Sequence, residues 1–265
     1  MHTRTTAPVL PSSRPRRRPV RRHRLHAEEG LSVQRTGELS SRLEQVRERI
    51  ARAAEAAQRD AQSVQLVVVT KFFPVDDLRR LIELGVTDIA ENKDQEAGAK
   101  IAELTEDERA RVTAHFVGQL QSNKAGHVAS YADVVQSIDR AKIVRALANG
   151  AQRHGRTLEV MLQVDLDGSQ AGRGGAAPDQ IEELAELVTA SPHLNLRGLM
   201  AVAPRDADPD DAFERLAGLS QALRVDHPSA TSMSAGMSGD LETAIRHGAT
   251  HVRIGTAVLG ARPTA

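Results

Sequence analysis

Eight short apolar runs, seven of them followed by an amphipathic stretch of helical period, are the feature that most constrains how this chain can fold. The runs cover residues 66–70, 86–90, 114–117, 134–138, 159–166, 196–202, 232–234 and 251–254. Helical spacing fills the gaps at 75–84, 94–104, 122–130, 141–154, 178–190, 209–225 and 239–247, and Gly, Pro, Asn or Asp marks most junctions. Strand followed by helix, repeated, predicts a parallel α/β array. The repeat is regular at roughly 25–30 residues, which favours a closed (β/α)8 barrel, the TIM barrel, over an open doubly wound sheet. No GxGxxG opens the first strand-to-helix turn, as the open alternative would suggest. A further helix is predicted over 36–60, where Leu39, Leu43, Val46, Ile50 and Ala54 recur at three- and four-residue steps. No linker divides 36–265, so one domain is expected there. The glycine-rich stretch 165–178, after the fifth run, is expected to be a mobile flap.

Residues 1–35 read differently. The charged residues before Glu28 are all arginines, from Arg4 to Arg24, in a segment with several prolines and few apolar residues. This composition predicts a disordered basic tail. A nucleic-acid arm, an organellar transit peptide and a dispensable extension are the competing readings of it. The body offers little to nucleic acid, because aromatics make up 2 % of the chain and Trp is absent, leaving no stacking platforms. The absence of cysteine removes thiolate nucleophiles and Cys-based metal sites. No apolar run approaches the roughly 20 residues of a membrane span.

In a barrel of this kind the active site forms where the strands end. Lys71 stands at the end of the first run, LVVVT, directly before Phe72-Phe73-Pro74. An amine at a strand mouth is partly desolvated, which favours its neutral, nucleophilic form and suits it to imine chemistry; a lysine snorkelling past the strand is the plain alternative. The loops after the last two strands carry GMSGD (236–240) and Gly255-Thr256. Phosphate sites in this fold commonly use those two loops, whose glycines let backbone N–H groups approach an anion. Lys71 and these loops together describe a phosphorylated aldehyde held by an imine. Arg253 shares a strand face with Gly255. A guanidinium has no acceptor, so against a pyridine nitrogen it would leave that nitrogen unprotonated and weaken the electron sink. Pairing with a carboxylate is its other reading.

The segment Val69-Thr70-Lys71-Phe72-Phe73-Pro74, then Glu91-Asn92 with Gln95-Glu96, HFVGQLQSNK, QSID, RGLM, GMSGD and VRIGT resembles the pyridoxal phosphate homeostasis proteins (YggS/PROSC type) over nearly all of the chain beyond the tail. The resemblance implies a single barrel similar to the N-terminal domain of alanine racemases. It implies pyridoxal 5'-phosphate held as a reversible aldimine on Lys71, Arg253 facing the pyridine nitrogen, Ser234, Ser238, Gly255 and Thr256 holding the phosphate, and Asn92 lining the pocket. His115 and Met200 would lie beneath the ring, with core packing as their competing role. The implied function is intracellular vitamin B6 homeostasis by a cytoplasmic, monomeric carrier without robust catalysis, with pyridoxal-phosphate-dependent apo-enzymes as candidate partners and neither nucleic acid nor membrane involved.

Phe73, Lys93, Asp165 and Arg173 depart from the common pattern, and Phe73 removes a lysine that could act as a secondary acceptor. Two enzymatic readings compete. An amino-acid racemase would need a second domain and an opposing tyrosine, and the only tyrosine is Tyr131, before the fourth strand. A class I aldolase-like barrel would need a relay beside Lys71, for which Glu91 is the candidate.

Overall fold

The computed structural model describes residues 20–168 and 174–262. The chain divides into two units, Met1–Glu38 and Leu39–Ala265. In the first, the described residues are helical from Val20, where the long helix α1 (Val20–Ala56) begins. Local pairs lie along it, including Gln34 Nε2 donating to Glu38 Oε1 at 3.3 Å and Arg35 against Glu38 at 3.5 Å. Residues 1–19 of the expected basic tail lie outside the described residues. From Val20 the described chain is helical: no proline stands between Pro19 and Pro74, and Arg, Leu, Ala, Glu and Gln are good helix formers.

The second unit is the expected closed barrel. Its strands are β1 (Gln65–Val69), β2 (Asp88–Glu91), β3 (Thr113–Phe116), β4 (Val134–Ile138), β5 (Leu158–Gln163), β6 (Leu194–Met200), β7 (Ser232–Ser234) and β8 (His251–Ile254). Neighbours pair in parallel in chain order, and β8 closes on β1 with Val68 opposite Ile254. The helices are α2 (Val75–Glu83), α3 (Asp94–Ala102), α4 (Glu106–Ala110), α5 (Ala125–Tyr131), α6 (Ala141–Arg153), α7 (Ile181–Thr189), α8 (Pro209–Asp226), α9 (Leu241–Arg246) and α10 (Thr256–Leu259). The periodicity leaves out α4 and α10. Helix α4 is set by a capping box, in which Thr105 Oγ1 accepts from the Glu108 N–H at 3.2 Å and Glu108 Oε2 accepts from the Thr105 N–H at 2.8 Å. The glycine-rich segment expected to be a flap is partly outside the described residues, at 169–173. On its two flanks the Asp165 N–H donates to the Ala176 carbonyl at 2.9 Å, and the Ala176 N–H to the Gln163 carbonyl at 2.8 Å.

The apolar mass lies between sheet and helices, where Val68, Ile89, Phe116, Leu147, Phe213 and Ile254 are buried. Leu39, Leu43, Val46, Ile50 and Ala54 of α1 belong to it. Inside the barrel the filling is different. A small separate cluster, Val134, Met161 and Met200, is the apolar part. Asp88, His115, Gln136, Ser232, Ser234 and Arg253 are also buried, and hydrogen bonds tie most of them to one another across the lumen. Buried polar groups on this scale persist only when satisfied.

Candidate functional site

The ladder of β1 extends one residue past the strand, the Thr70 N–H donating to the Ala90 carbonyl at 3.0 Å. The chain then turns, with Phe73 N–H returning to the Thr70 carbonyl at 3.2 Å, and Pro74 opens α2. Phe72 completes the turn with φ at +70°, a left-handed conformation that is strained for a bulky side chain. Its N–H is held by the Glu96 carboxylate at 2.5 Å. This turn leaves Lys71 half-buried at the strand mouth, its Nζ 5.8 Å from the Phe72 ring centre. Lys93 and Arg262 reach the same ring at 5.3 and 4.7 Å. Burial pulls the Lys71 amine below the ordinary lysine range, Arg262 adds to the fall, and Glu91 and Glu96 oppose it. Among the described residues Lys71 Nζ has neither a hydrogen bond nor an ion pair.

A second lysine nearby is in the opposite state. Lys100 is buried, and its Nζ donates to Glu91 Oε1 at 2.5 Å, to the Thr70 carbonyl at 2.9 Å and to Glu96 Oε1 at 3.4 Å. Three acceptors occupy its amine, so the open nucleophile of this pair is Lys71. Glu91 also accepts from Thr70 Oγ1 at 2.7 Å, while its Oε2 and Asn92 Oδ1 are buried without a partner. Burial raises the Glu91 carboxyl above the usual range, although Lys100 and Thr70 pull it back. Asn92 lies where the β2 and β3 loops press together. A Cβ on Gly118 would fall 2.0 Å from the Asn92 carbonyl oxygen, which explains the glycine of HFVGQLQSNK. Two cavities open among the loops that follow the strands. One of about 520 Å³ is lined by Asn92, Lys93, Phe116, Gln119 and Lys124, and another of about 360 Å³ by Gln163, Asp165, Val202 and Met237.

The loops after β7 and β8 meet each other and the end of β1. Ser238 Oγ accepts from the Ala257 N–H of α10 at 3.4 Å. A Cβ on Gly255 would sit 3.3 Å from the Val69 carbonyl oxygen, two residues before Lys71. The pairing of β8 with β1 thus brings Gly255 and Thr256 alongside the chain that carries Lys71. Ser238 and Gly255 are partly exposed and Thr256 is open to solvent. N–H donors, a hydroxyl and a free amine gathered at one mouth suit an anionic carbonyl compound.

Arg253 lies deeper and is buried. Its Nη1 donates to Ser234 Oγ at 2.7 Å and its Nη2 to the Ala201 carbonyl at 2.8 Å. Burial lowers it to about 10, with Asp240 opposing, so it is charged at neutral pH. Its partners are a hydroxyl and a carbonyl, not the carboxylate of the alternative reading. Ser234 lies beside it in the lumen. Its hydroxyl accepts from Arg253 and donates to Gln136 Oε1 at 2.7 Å, so its one proton is already committed. Tyr131, the last residue of α5, packs against α3, its hydroxyl 3.4 Å from Asp94 Oδ1. Burial, and then the Asp94 charge, keep that phenol protonated.

Of the residues expected from sequence, Lys71, Ser238, Gly255 and Thr256 meet at one mouth; Lys100, Gln136 and Arg262 are additions from the structure. Gln136 carries a readable signal, since a glutamine in the apolar run Val134–Ile138 has no cheap place except a satisfied lumen. Arg262 carries none, because nothing local to it marks a contact with Phe72. Its effect on Lys71 is testable. Arg262→Ala removes a repelling cation, so the Lys71 amine should titrate at higher pH. Reductive methylation of Lys71 by formaldehyde, mapped by mass spectrometry across pH, should shift its profile upward; an unchanged profile would remove Arg262 from the site.

Residues 41–263 match the family model described as alanine racemase, N-terminal domain. The pyridoxal phosphate homeostasis protein of Mycobacterium tuberculosis is 41 % identical over 243 residues, covering 86 % of this chain and 94 % of its own. The structure of PipY from Synechococcus elongatus without PLP is 31 % identical, with TM-score 0.74, over 84 % of this chain and 100 % of PipY. The structure of PipY with PLP bound gives 29 % and 0.70 over the same shares. Alanine racemase from Corynebacterium glutamicum, at 16 % identity and TM-score 0.56, shares the fold; the match spans 83 % of this chain and 62 % of the racemase. By sequence along most of its length, and with the barrel to match, this chain belongs to the pyridoxal phosphate homeostasis protein family.

Proposed function

We propose that this protein binds pyridoxal 5'-phosphate reversibly through Lys71 and serves the intracellular balance of that cofactor rather than turning over an amino acid. The observation that carries the reading is the contrast between two lysines at one mouth. Lys100 is buried and held by three oxygens, whereas Lys71 is an unpaired, partly desolvated amine beside the glycine loops of β7 and β8. When bound, the cofactor supplies the aldehyde and an electron sink. The chain's own residues determine how it is held and how reactive it is. Lys71 presents a free amine, Ser238, Gly255 and Thr256 offer donors to the phosphate, and Asn92 has a buried oxygen to be satisfied. Arg253 offers the ring nitrogen only donors, which keeps the sink weak.

The racemase reading needs a base opposite Lys71, and Tyr131 is held at the end of α5 against Asp94 of α3. The aldolase-like reading would use Glu91, whose Oε1 is taken by Lys100 and Thr70 and whose Oε2 is buried with no hydrogen-bond partner among the described residues. We place the protein in the cytoplasm as a monomer, with cofactor-requiring apo-enzymes as recipients. No helix among the described residues is long and apolar enough to cross a membrane.

The test is titration of the full-length protein with pyridoxal 5'-phosphate. A long-wavelength absorbance band should form, persist through gel filtration and be fixed by borohydride, while alanine incubated with the loaded protein keeps its L configuration. Formation of D-alanine at an enzymatic rate would favour the racemase reading, and no band at all would end the binding one.

A further inference from the structure

The barrel lumen holds an unbroken hydrogen-bonded chain from the site to the opposite end of the sheet. Arg253 Nη1 donates to Ser234 Oγ at 2.7 Å, Ser234 to Gln136 Oε1 at 2.7 Å, and Gln136 Nε2 meets His115 Nδ1 at 2.8 Å. His115 Nε2 meets Asp88 Oδ1 at 3.0 Å. Asp88 Oδ2 then accepts from Thr87 Oγ1 at 2.7 Å and from Gln65 Nε2. Every member from Arg253 to Asp88 is buried.

The two ends fix the direction. A guanidinium only donates and a carboxylate only accepts. With a neutral imidazole between them, every link is satisfied in one polarity alone. Ser234 gives its proton to the Gln136 oxygen, the Gln136 amide donates to His115 Nδ1, and His115 carries its proton on Nε2, facing Asp88. Flipping the Gln136 amide would demand a proton on Nδ1 and would leave a bare Nε2 against a carboxylate. The other lumen imidazole, His251, has its ring centre 6.4 Å from that of His115 and is pulled down to about 4 by burial, so it brings no competing charge at neutral pH. Asp88 is pushed up by burial, but hydrogen bonds from His115, Thr87 and Gln65 outweigh this and hold it below the usual carboxylate range.

We propose that Gln136 and His115 are positioning residues for Arg253, locking the guanidinium in one orientation through Ser234, with His115 fixed as the Nε2–H tautomer. The proposal rests on the reading that Arg253 faces the bound cofactor. Without the chain, Arg253 keeps its bond to the Ala201 carbonyl but can pivot about it. The buried Ser234 hydroxyl that receives it also loses its own acceptor. Retention of the cofactor then falls while the amine of Lys71 is untouched.

Two measurements separate this from the function on which it rests. First, the full-length protein labelled with 15N-histidine, free of cofactor, should show His115 with one protonated nitrogen, Nε2, and one bare nitrogen, Nδ1, near neutral pH. An Nδ1–H or doubly protonated His115 would overturn the proposal, whatever the cofactor does. Second, His115→Leu breaks both links, whereas His115→Gln offers an oxygen to Gln136 and an N–H to Asp88. Dissociation of pyridoxal 5'-phosphate on dilution should be about tenfold more complete for the leucine variant, the size of one charge-assisted hydrogen bond, and largely restored in the glutamine variant. Ser234→Ala, a smaller change in volume, should match the leucine variant if that one does not fold. Borohydride should still fix label on Lys71 in each. Equal retention in wild type, Ser234→Ala and both His115 variants would overturn the proposal while leaving the binding function standing. No adduct in the wild type would remove the function but not the tautomer result.

Discussion

Lys71→Ala is expected to lose the long-wavelength band of the protein-bound cofactor entirely, together with any borohydride-stable adduct. The loss follows from the inventory of amines at the mouth. Lys100 is buried and its amine is held by three oxygens. Lys93 shares the Phe72 ring with Lys71 but is exposed. Neither lysine is therefore placed to substitute. Folding should be barely altered, within about 0.5 kcal/mol, because the lysine removed is partly exposed and unpaired and stands among other cations. Weak, salt-sensitive retention of the cofactor should survive, since Ser238, Gly255, Thr256 and Arg253 are unchanged. Lys93→Ala and Lys124→Ala, by contrast, should keep the band. A band of wild-type intensity in Lys71→Ala would transfer the chemistry to another lysine.

Lys100→Met is expected to produce the largest loss of stability among single changes near the site. The side chains of Lys100 and Glu91 are only 6 % and 3 % exposed, so solvent does not screen them, and removing one partner strands the other. Breaking such a pair typically costs about 3–5 kcal/mol. Chemical denaturation should show it as a lower midpoint with an unchanged slope. The pH dependence has a definite sign. Glu91 already lies above the usual carboxyl range because of burial, and losing Lys100 lifts it further. A carboxyl that holds its proton more tightly when folded favours the folded state most below the unfolded value of about 4.3, and this is lost as pH rises through the folded value. The deficit of Lys100→Met should accordingly be smallest in acid and grow toward neutrality. Glu91→Gln combined with Lys100→Met should recover much of the loss, since no unpaired charge is left buried. A deficit that deepens in acid would contradict the direction assigned to Glu91.

The barrel is legible in the sequence because its strands are buried on the helix side by Val, Ile and Leu and end at Gly, Pro or Asp. Strands β4, β7 and β8 begin and end where the apolar runs do. Boundaries slip where an apolar run outlasts the ladder, as in the run 159–166 against Leu158–Gln163. At the site, Lys71 and the two glycine loops are legible from their place after strands. The lumen chain is not, because its members come from β2, β3, β4, β7 and β8 and only closure of the sheet makes them neighbours. Ser234 shows the difference. Its place before GMSGD is legible, whereas its bonds to Arg253 and Gln136 form only when the sheet closes.

The central claim is that one amine of this chain, Lys71, condenses with the cofactor. Its most direct measurement is borohydride reduction of the wild-type protein loaded with pyridoxal 5'-phosphate, followed by proteolysis and mass mapping of the adduct. The expected result is a single reduced adduct, on the peptide that contains Lys71, at close to one per chain. Label concentrated on Lys93, Lys100 or Lys124, with Lys71 unmodified, would contradict it.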